Sequence, residues 1–445
     1  MCFLSKIQRF IEAGHLLVKT DHVLLGLSGG ADSVCLLLVL KELGYDVACA
    51  HCNFHLRGDE SDRDERFVRD LCSNMGITLH VRQFDTKKYA QNGDMSIEMA
   101  ARELRYDWFK QLMEEEKYNR LAIAHHSDDN IETVLINMMR GCGLKGLCGI
   151  QKKNGKIVRP LLCCSHQEVL DFLESRGQDF MTDSTNLATD FLRNKIRLDI
   201  IPKMEEAVLS AKENILTTLA NINEERRVYE WCMARMMEET TFVDDEGMLK
   251  ISKEALLRSP SPLSLLHESL RECGFNRTQL IQVLRSINNT GRQFFSEGFT
   301  MTIDRDYLIV VGNDDAEFQQ QEIPCSTETG IIDLPYSKRL RFRLCDASGL
   351  SIVKDKNHAY LDTGKAGKSL TVRLVRTGDR FRPFGMQGQK LVSDLLTDLK
   401  LSKIEKDRQL VVETNGQIAW VIGRRASEDF RIDRNTQTVI ELELI

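Results

Sequence analysis

The segment HVLLGLSGGADSVCLLLVLKEL, at residues 22–43, constrains the fold more than any other part of the chain. Its first six residues carry no charge and are mostly apolar, as in a strand covered on both faces of a parallel sheet. The turn SGGADS follows, and a helix is predicted from Val34 to Leu43. The glycines allow positive φ, and Asp32 or Ser33 is predicted to cap the helix. Because such a turn presents free N–H groups, the segment predicts an anion site.

The alternation of strand and helix patterns continues to about residue 165. Apolar runs in DVACAHCNF, TLHVRQF and RLAIAH predict strands, and the segments between and after them predict helices at 60–75, 96–116 and 129–140. This alternation predicts an α/β fold with a doubly wound parallel sheet. Ligands of such sheets bind at the carboxyl ends of the strands. The stretches SGGADS, HCNFH and AHHSDD are therefore expected to meet at one crevice.

The rest of the chain changes character twice. A mainly helical domain is predicted at 206–320, with a strand pair near 293–311, after an N-terminal domain at 1–205. The polar stretch GNDDAEFQQQEIP, at 312–324, is predicted to be a linker. Strand patterns then predict a small strand-rich α+β domain at 326–445.

The charge of the chain is unevenly spread. The formal net charge is −6, yet Lys and Arg outnumber Asp and Glu from Lys338 onward. A basic tail on an acidic body is the electrostatic pattern expected for a polyanion partner, and the alternative is a solvated surface.

Composition argues against membrane-spanning and secreted proteins. The sequence contains no uncharged stretch near the roughly 18 apolar residues that span a bilayer, and the N-terminus MCFLSKIQRFIEAGHLL contains an acid where a signal peptide would have none. Thirteen cysteines without framework spacing indicate reduced thiols. A cytoplasmic protein without a membrane partner is therefore predicted, and the oligomeric state stays open, with a homodimer as one option.

The cysteine pairs are predicted to be structural. Cys49 and Cys52 form a CxxC, a spacing that zinc and iron–sulfur sites use. In a strand, however, positions three apart point to opposite faces of the sheet. The neighbours Cys163 and Cys164 are predicted to pack in the core.

Acids and histidines gather at the junction of a strand and a helix in RLAIAHHSDDNIETVLINMMRGCG, where the strand is predicted to end at His125. If the helix starts early, His125, Asp128 or Asp129, and Glu132 fall on one face. Placing these acids together costs free energy unless a cation or a substrate ammonium balances their negative charge. Beside a phosphate loop this favours a metal site over a helix whose first turn merely carries acids.

Two other stretches offer polar side chains. SIEMAARELRYDWF places Glu98, Arg102 and Arg105 on one helical stripe. An arginine there can neutralise phosphate charge, and the alternative is an exposed salt bridge. HCNFHLRGDESDRDE adds His51, Asn53 and His55, of which the two histidines are predicted to be structural.

Several of these motifs resemble those of known enzymes. SGGADS lacks the lysine of GxxxxGK[ST] and the spacing of GxGxxG, but it resembles the SGGxDS loop of the PP-loop ATP pyrophosphatases, which cleave ATP to AMP and pyrophosphate while adenylating a carbonyl-type oxygen. Five further stretches resemble, in this order, the motifs of the tRNA(Ile)-lysidine synthetase family. They are HCNFHLRGDESDRDE, AARELRY, AHHSDDNIETVLINMMRGCGLKGL, RPLL at 159–162 and DSTNLATDFLRNKIR at 183–197. VRTGDRFRPFGMQGQKLVSDLLTDLKL resembles its tail motif, and Cys142 departs from it where a serine is expected.

The resemblance implies an ATP- and Mg²⁺-dependent ligase that joins free L-lysine to the wobble cytidine of tRNA(Ile). It implies that ATP and Mg²⁺ are bound by the loop residues Ser28, Gly29, Gly30, Ala31, Asp32 and Ser33. The implied catalytic residues are Asp32, Arg105, Asp129, Glu132 and His125, with Asp32 and Asp129 at the metal. The implied tRNA-binding residues are Arg193, Asn194, Arg197, Arg376, Arg380 and Arg382. The middle and C-terminal domains are accordingly expected to bind tRNA.

Three other functions are weighed against this one. A PP-loop tRNA thiolase would need a catalytic cysteine pair, for which Cys49 and Cys52 are the candidates. A glutamine-dependent synthetase would need a glutaminase domain, and the chain has no spare segment of that length. A non-enzymatic RNA-binding module would not require acids beside SGGADS.

Overall fold

The computed structural model describes residues 2–182, 192–313, 318–335 and 338–445. The chain divides into two compact units, Met1–Val228 and Tyr229–Ile445. Among the helices of these described ranges, none is long and apolar enough to cross a membrane.

A mainly parallel sheet forms the centre of the first unit. Its strands are β1 His22–Gly26, β2 Asp46–Asn53, β3 Leu79–Gln83, β4 Arg120–Ala122, β5 Lys153–Asn154 and β6 Ile157–Val158. They lie in the order β3-β2-β1-β4-β6-β5, and β5 is antiparallel to β6. Because β2 and β4 flank β1 on opposite sides, the topological switch point lies beside the end of β1. The predicted doubly wound sheet is confirmed.

The described residues up to Thr240 form eleven α-helices, the last of which crosses the boundary between the two units. They are α1 Phe3–Ala13, α2 Ala31–Glu42, α3 Asp59–Met75, α4 Thr86–Asn92, α5 Ile97–Glu115, α6 Ser127–Met139, α7 Leu144–Leu147, α8 His166–Ser175, α9 Leu192–Lys195, α10 Ile201–Ala207 and α11 Ala211–Thr240. The helix α2 is apolar around most of its circumference because it is buried in the core with β1. The predicted helices at 60–75 and 96–116 match α3 and α5 within one residue at each end.

The second unit begins with helices and an antiparallel sheet. Its first elements are β7 Thr241–Val243, β8 Leu249–Ser252, α12 Lys253–Arg258, α13 Pro262–Ser269, α14 Arg277–Arg285, β9 Gln293–Phe295, β10 Phe299–Ile303 and β11 Tyr307–Gly312. The strand order is β7-β8-β11-β10-β9. The sequence predicted a strand pair near 293–311, and the structure adds β7 and β8 to the same sheet.

The C-terminal part of the second unit is strand-rich, as predicted. Its elements are β12 Gln321–Pro324, β13 Thr329–Asp333, β14 Arg339–Asp346, β15 His358–Asp362, β16 Ser369–Leu374, β17 Arg380–Phe381, β18 Lys390–Leu391, α15 Val392–Asp398, α16 Lys403–Asp407, β19 Leu410–Thr414, β20 Gln417–Val421, β21 Arg425–Ala426 and β22 Thr438–Leu444. The sheets β12-β16-β19-β20-β21 and β13-β14-β22-β15 share a core around the buried Trp420. The prediction of a linker at 312–324 is wrong at the C-terminal end of this range, because Gln321–Pro324 forms β12 and pairs with β16.

Candidate active site

The turn Ser28–Ser33 joins β1 to α2 at the switch point. Gly29 has φ +94°, and a Cβ there would lie 3.2 Å from Val68 Cγ2, so the position requires glycine. The Ser33 hydroxyl accepts hydrogen bonds from the N–H groups of Ser28 and Gly29, each at 3.2 Å, and donates to the Gly30 carbonyl at 3.0 Å. The side chain of Ser33 therefore shapes the loop from inside.

The helix α2 begins earlier than the sequence predicts. Its N-cap is Gly30, and Asp32 and Ser33 lie inside the first turn. The prediction that one of these two residues caps the helix is therefore wrong. Since glycine has no side chain to satisfy the first N–H groups, the start of α2 keeps its anion-binding character.

Asp32 faces two histidines that the sequence analysis missed. His166, the first residue of α8, places Nδ1 3.1 Å from Asp32 Oδ1. The buried His126, the N-cap of α6, places Nε2 3.7 Å from the same oxygen. The hydrogen bond with Asp32 raises the pKa of His166 most strongly, and burial opposes it. One ligand atom from each of these three residues lies within 4.8 Å of the others, so they could hold a cation.

Among Asp32, His126 and His166, the Asp32 carboxylate suits Mg²⁺. Magnesium binds through one or two carboxylates and completes its shell with substrate phosphates and water. Asp32 supplies a carboxylate beside the anion-binding loop, so a Mg²⁺–phosphate pair fits here. Asp129, the other predicted metal ligand, has its Oδ1 3.2 Å from Arg193 Nη2, and its Oδ2 accepts a hydrogen bond from the His126 N–H. A metal role for Asp129 stays a prediction.

Glu132 is fully buried on α6 and is held by two arginines. Arg193 Nε donates to one carboxylate oxygen and Arg197 Nε to the other, both at 2.6 Å. The sequence predicted that a cation or a substrate ammonium balances the negative charge of the acids of α6. The structure supplies these guanidinium groups, which also approach Asp129.

Asp128 lies on the same first turn of α6 but has different partners. Its Oδ2 accepts a hydrogen bond from the His166 N–H at 2.8 Å, and its Oδ1 lies 3.3 Å from Lys212 Nζ. Burial raises the pKa of Asp128, but the His166 N–H and Lys212 outweigh it and leave the pKa below its usual value. Asp128 therefore links the starts of α8 and α11 to this turn.

His125 does not belong to the α6 face, contrary to the prediction. The strand β4 ends at Ala122 and α6 begins at Ser127, so His125 lies in the connection. Its Nδ1 accepts a hydrogen bond from Arg159 Nε at 3.0 Å. Burial above all lowers the pKa of His125, to about 4, while Asp129 opposes the shift.

Two neighbouring cavities open at this edge of the sheet. The larger, about 1050 Å³, is lined by the predicted stripe Glu98, Arg102 and Arg105 together with Arg193 and Asn194. The smaller, about 210 Å³, is lined by loop and strand-end residues that include Ser28, Gly30, Asp32 and Ser33. Arg105 and His125 line both cavities. The loop, the arginine stripe and the α6 junction therefore meet in one crevice, as their positions after the strands predict.

The polar residues at the end of β2 have structural partners. His51 Nδ1 donates to the Leu27 carbonyl at 2.8 Å, and burial lowers the pKa of His51. The Asn53 amide donates to Asp62 and Glu65. The hydrogen bond of His51 agrees with its predicted structural role, and both His51 and Asn53 also line the larger cavity. His55 Nδ1 lies 3.7 Å from Asp62 Oδ1 on an exposed surface.

The CxxC cysteines lie on opposite faces of β2, as predicted. Cys49 packs in the core with α2 and α3, whereas Cys52 packs on the α5 face and lines both cavities. Burial raises the pKa of Cys52 to about 12. Cys164 is fully buried in the core, and Cys163 packs against it, as predicted.

We expect Cys49→Ser and Cys52→Ser each to change activity by less than a few fold, and the purified protein to carry no iron–sulfur cluster, because opposite-face thiols cannot ligate one cluster. The check is AMP release by each variant and iron content of the purified protein. Loss of turnover in both variants, or bound iron with acid-labile sulfide, would contradict this prediction and favour thiolase chemistry.

The predicted C-terminal arginines lie around the β17 turn in the second unit. Arg376 and Arg380 are exposed, and Arg382 Nη2 lies 2.5 Å from Asp429 Oδ1. The alternative to tRNA binding is that these arginines pair with Asp379 and Asp394 and only hold the small domain together. Asp379 gives both carboxylate oxygens to the buried Arg373, at 2.8 and 3.0 Å, and accepts a hydrogen bond from the backbone N–H of Arg376, whereas Arg382 pairs with Asp429. Residues 183–191, most of the DSTNLATDFLRNKIR motif, lie outside the described residues.

Comparisons with known proteins agree with this architecture. The chain matches the family profile of the PP-loop domain at residues 2–204, the TilS substrate binding domain at 244–312 and the TilS substrate C-terminal domain at 370–443. It is 42% identical to the tRNA(Ile)-lysidine synthase of Bacteroides thetaiotaomicron over 99% of both chains. It is 41% identical to that of Parabacteroides distasonis over 98% of both chains. For the enzyme of Porphyromonas gingivalis the identity is 37%, over 98% of this chain and 96% of the relative.

An anion-binding loop at the switch point of a doubly wound sheet, an acidic and arginine-rich crevice beside it, and relatives similar over the full length all indicate the same family. The chain belongs to the tRNA(Ile)-lysidine synthase family, ATP-dependent ligase-type enzymes with a PP-loop domain.

Proposed function

We propose that the protein adenylates the C2 oxygen of the wobble cytidine of tRNA(Ile) and then joins C2 of that cytidine to the ε-nitrogen of free L-lysine. The observation that carries this proposal is the crevice itself, where the phosphate-type loop and Asp32 adjoin a large cavity lined by arginines and by His125. ATP phosphates and a polyanionic substrate both require such positive charge. Full-length similarity to enzymes named for this reaction supports it.

In the first step the loop binds ATP. The N–H groups at the start of α2 receive the phosphates, and Asp32 would hold Mg²⁺ against them. When bound, Mg²⁺ supplies neutralisation of phosphate charge. The cytosine C2 oxygen forms a bond to the α-phosphorus as the bond to pyrophosphate breaks. Arg105, which lines both cavities, is placed to stabilise the charge that develops on the phosphoryl oxygens.

In the second step lysine displaces AMP. The lysine ε-ammonium must first pass a proton to a base, for which the Asp129 carboxylate is our candidate, because only the neutral amine has a lone pair for attack. The new C2–N bond forms as the bond from C2 to the adenylated oxygen breaks, and AMP leaves with that oxygen. Asp129 is our candidate for binding the lysine ammonium, and the fully buried Glu132, whose two carboxylate oxygens are taken by Arg193 and Arg197, is proposed to hold these arginines in place.

The second unit is proposed to bind tRNA. The profile matches at 244–312 and 370–443 describe substrate domains, and the basic residues from Lys338 onward supply positive charge. Arg193, Asn194 and Arg197 are proposed to act near the RNA at the mouth of the crevice. A cytoplasmic location and a homodimer stay predictions.

Replacing Arg376, Arg380 and Arg382 together by Ala is expected to weaken tRNA binding and flatten its salt dependence. Each lost phosphate contact should reduce the slope of log K against log salt by about 0.9, the value for duplex DNA. Filter binding at a series of salt concentrations measures this slope. Arg343→Ala, whose guanidinium is held by Glu441, is the control and should leave the slope unchanged. An unchanged slope in the folded triple variant would mean that these arginines serve only the fold.

The function is tested by lysine incorporation. Purified protein, Mg-ATP and radiolabelled lysine are incubated with a tRNA(Ile) transcript that carries cytidine at the wobble position, or with a matched transcript that carries uridine there. We expect label to enter the cytidine transcript alone. AMP release without lysine incorporation, or sulfur transfer to the tRNA, would overturn the proposal.

A further inference from the structure

Arg159 is a buried arginine behind the crevice. It follows β6, and its side chain is 8% exposed. Its Nη1 donates to the Gln151 carbonyl at 2.7 Å, and its backbone N–H donates to the Lys152 carbonyl at 3.0 Å. Its Nε donates to His125 Nδ1 at 3.0 Å. The Gln151 carbonyl therefore holds the guanidinium against the imidazole, and the Lys152 carbonyl holds the backbone of Arg159.

This contact determines which nitrogen of His125 carries hydrogen. A guanidinium has donors and no acceptor, so the imidazole nitrogen that it meets must offer a lone pair. With a lone pair at Nδ1, the neutral ring carries its hydrogen on Nε2. Nδ1 is occupied by Arg159, so Nε2 is the ring nitrogen that remains for a further partner, and His125 lines both cavities.

We propose that Arg159 is a positioning residue that fixes His125 as the Nε2–H tautomer, so that His125 serves adenylation as a hydrogen-bond donor. This inference rests on the proposed function. The cytosine C2 oxygen is a carbonyl oxygen without hydrogen, so its attack on the α-phosphorus releases no proton and requires no base. Negative charge builds instead on phosphoryl oxygens, where a fixed N–H donor is useful.

Three substitutions of His125 separate a donor from a base. The side-chain amide of Gln in His125→Gln can place an N–H near the position of Nε2, whereas Asn in His125→Asn places it near Nδ1, and Ala supplies none. We expect His125→Gln to keep the rate of tRNA-dependent pyrophosphate release within about tenfold of the unsubstituted enzyme, and Asn and Ala to lose about a hundredfold or more. Equal losses in all three folded variants would overturn the donor role.

Nitrogen NMR of the unsubstituted protein labelled with ¹⁵N-histidine tests the tautomer directly, with the His125→Gln spectrum identifying the His125 signals. We expect a pyridine-like Nδ1 and a pyrrole-like Nε2. In Arg159→Met we expect the two forms to mix, with kcat for pyrophosphate release reduced about tenfold and the KM for ATP little changed. A pyrrole-like Nδ1 in the unsubstituted protein would overturn the inference, even if Arg159→Met does not fold.

The two proposals can fail separately. If lysine enters tRNA but His125 carries hydrogen on Nδ1, the positioning role of Arg159 is wrong and the proposed function stands. If the Nε2–H tautomer is found but no pyrophosphate is released with any cytidine-bearing tRNA, the proposed function is wrong and the donor role in adenylation fails with it.

Discussion

Asp32→Asn is expected to lower the rate of AMP release about a thousandfold while the protein stays folded. The substitution preserves the shape of the side chain but removes the charge that faces His126 and His166 and that would hold Mg²⁺. The loop itself is shaped by the Ser33 hydroxyl, so it does not depend on the Asp32 carboxylate. Steady-state AMP release with tRNA and lysine, together with the thermal unfolding curve, measures both parts of this expectation.

Asp46→Asn is the matched control for this variant. Asp46 begins β2 at the amino-terminal end of the parallel strands, away from the crevice, and its exposed carboxylate contacts the exposed His22. Its replacement should leave AMP release unchanged. A folded Asp32→Asn protein that turns over at a rate close to that of the unsubstituted enzyme would remove Asp32 from the mechanism.

Arg197→Ala is expected to destabilise the first unit by about 3 kcal/mol, because it removes one of two arginines from a fully buried carboxylate. For a unit of this size the melting temperature should fall by roughly 6–12 °C. Lysine incorporation should fall with it, since Glu132 loses its fixed position. Calorimetry measures the unfolding transition, and assays well below the transition separate the loss of activity from unfolding.

The control for this variant is Arg227→Ala, which breaks an ion pair between two exposed side chains, Arg227 and Glu224. Exposed pairs contribute less than about 1 kcal/mol, so its melting temperature should barely change. If Arg197→Ala is as stable as Arg227→Ala, the two-arginine clamp on Glu132 contributes nothing to the fold.

Local patterns predicted the first unit well because its core elements are apolar and long enough to show their period. The buried strand β1 and the buried helix α2 follow one another within about 22 residues, and the loop between them is a contiguous motif. The strands β7 and β8 were missed because they have only three and four residues, so neither is long enough to show an alternating apolar face. The strand β8 is fixed by pairing with β11, which lies far along the chain, and β7 pairs with β8.

The site was predictable where its residues are neighbours in sequence and not where they meet across the fold. Asp32 could be identified from the loop, but His166 lies 134 residues further on and meets it only because α8 starts at the same edge. The signal for His126 was present in the doublet HH before the acids. Arg159 begins the RPLL motif, and its proposed role depends on a contact with His125 that no local spacing shows.

Transfer of the α-phosphate to tRNA tests the central claim most directly. The protein is incubated with α-³²P-labelled ATP, Mg²⁺ and a cytidine-bearing tRNA(Ile) transcript without lysine, and lysine is added after the tRNA has been analysed. We predict that label joins the tRNA with release of pyrophosphate, and that lysine then releases the label as AMP while an equal amount of lysine enters the tRNA. Failure of the label to reach the tRNA, or its release as AMP without lysine entering, would contradict adenylation followed by lysine transfer.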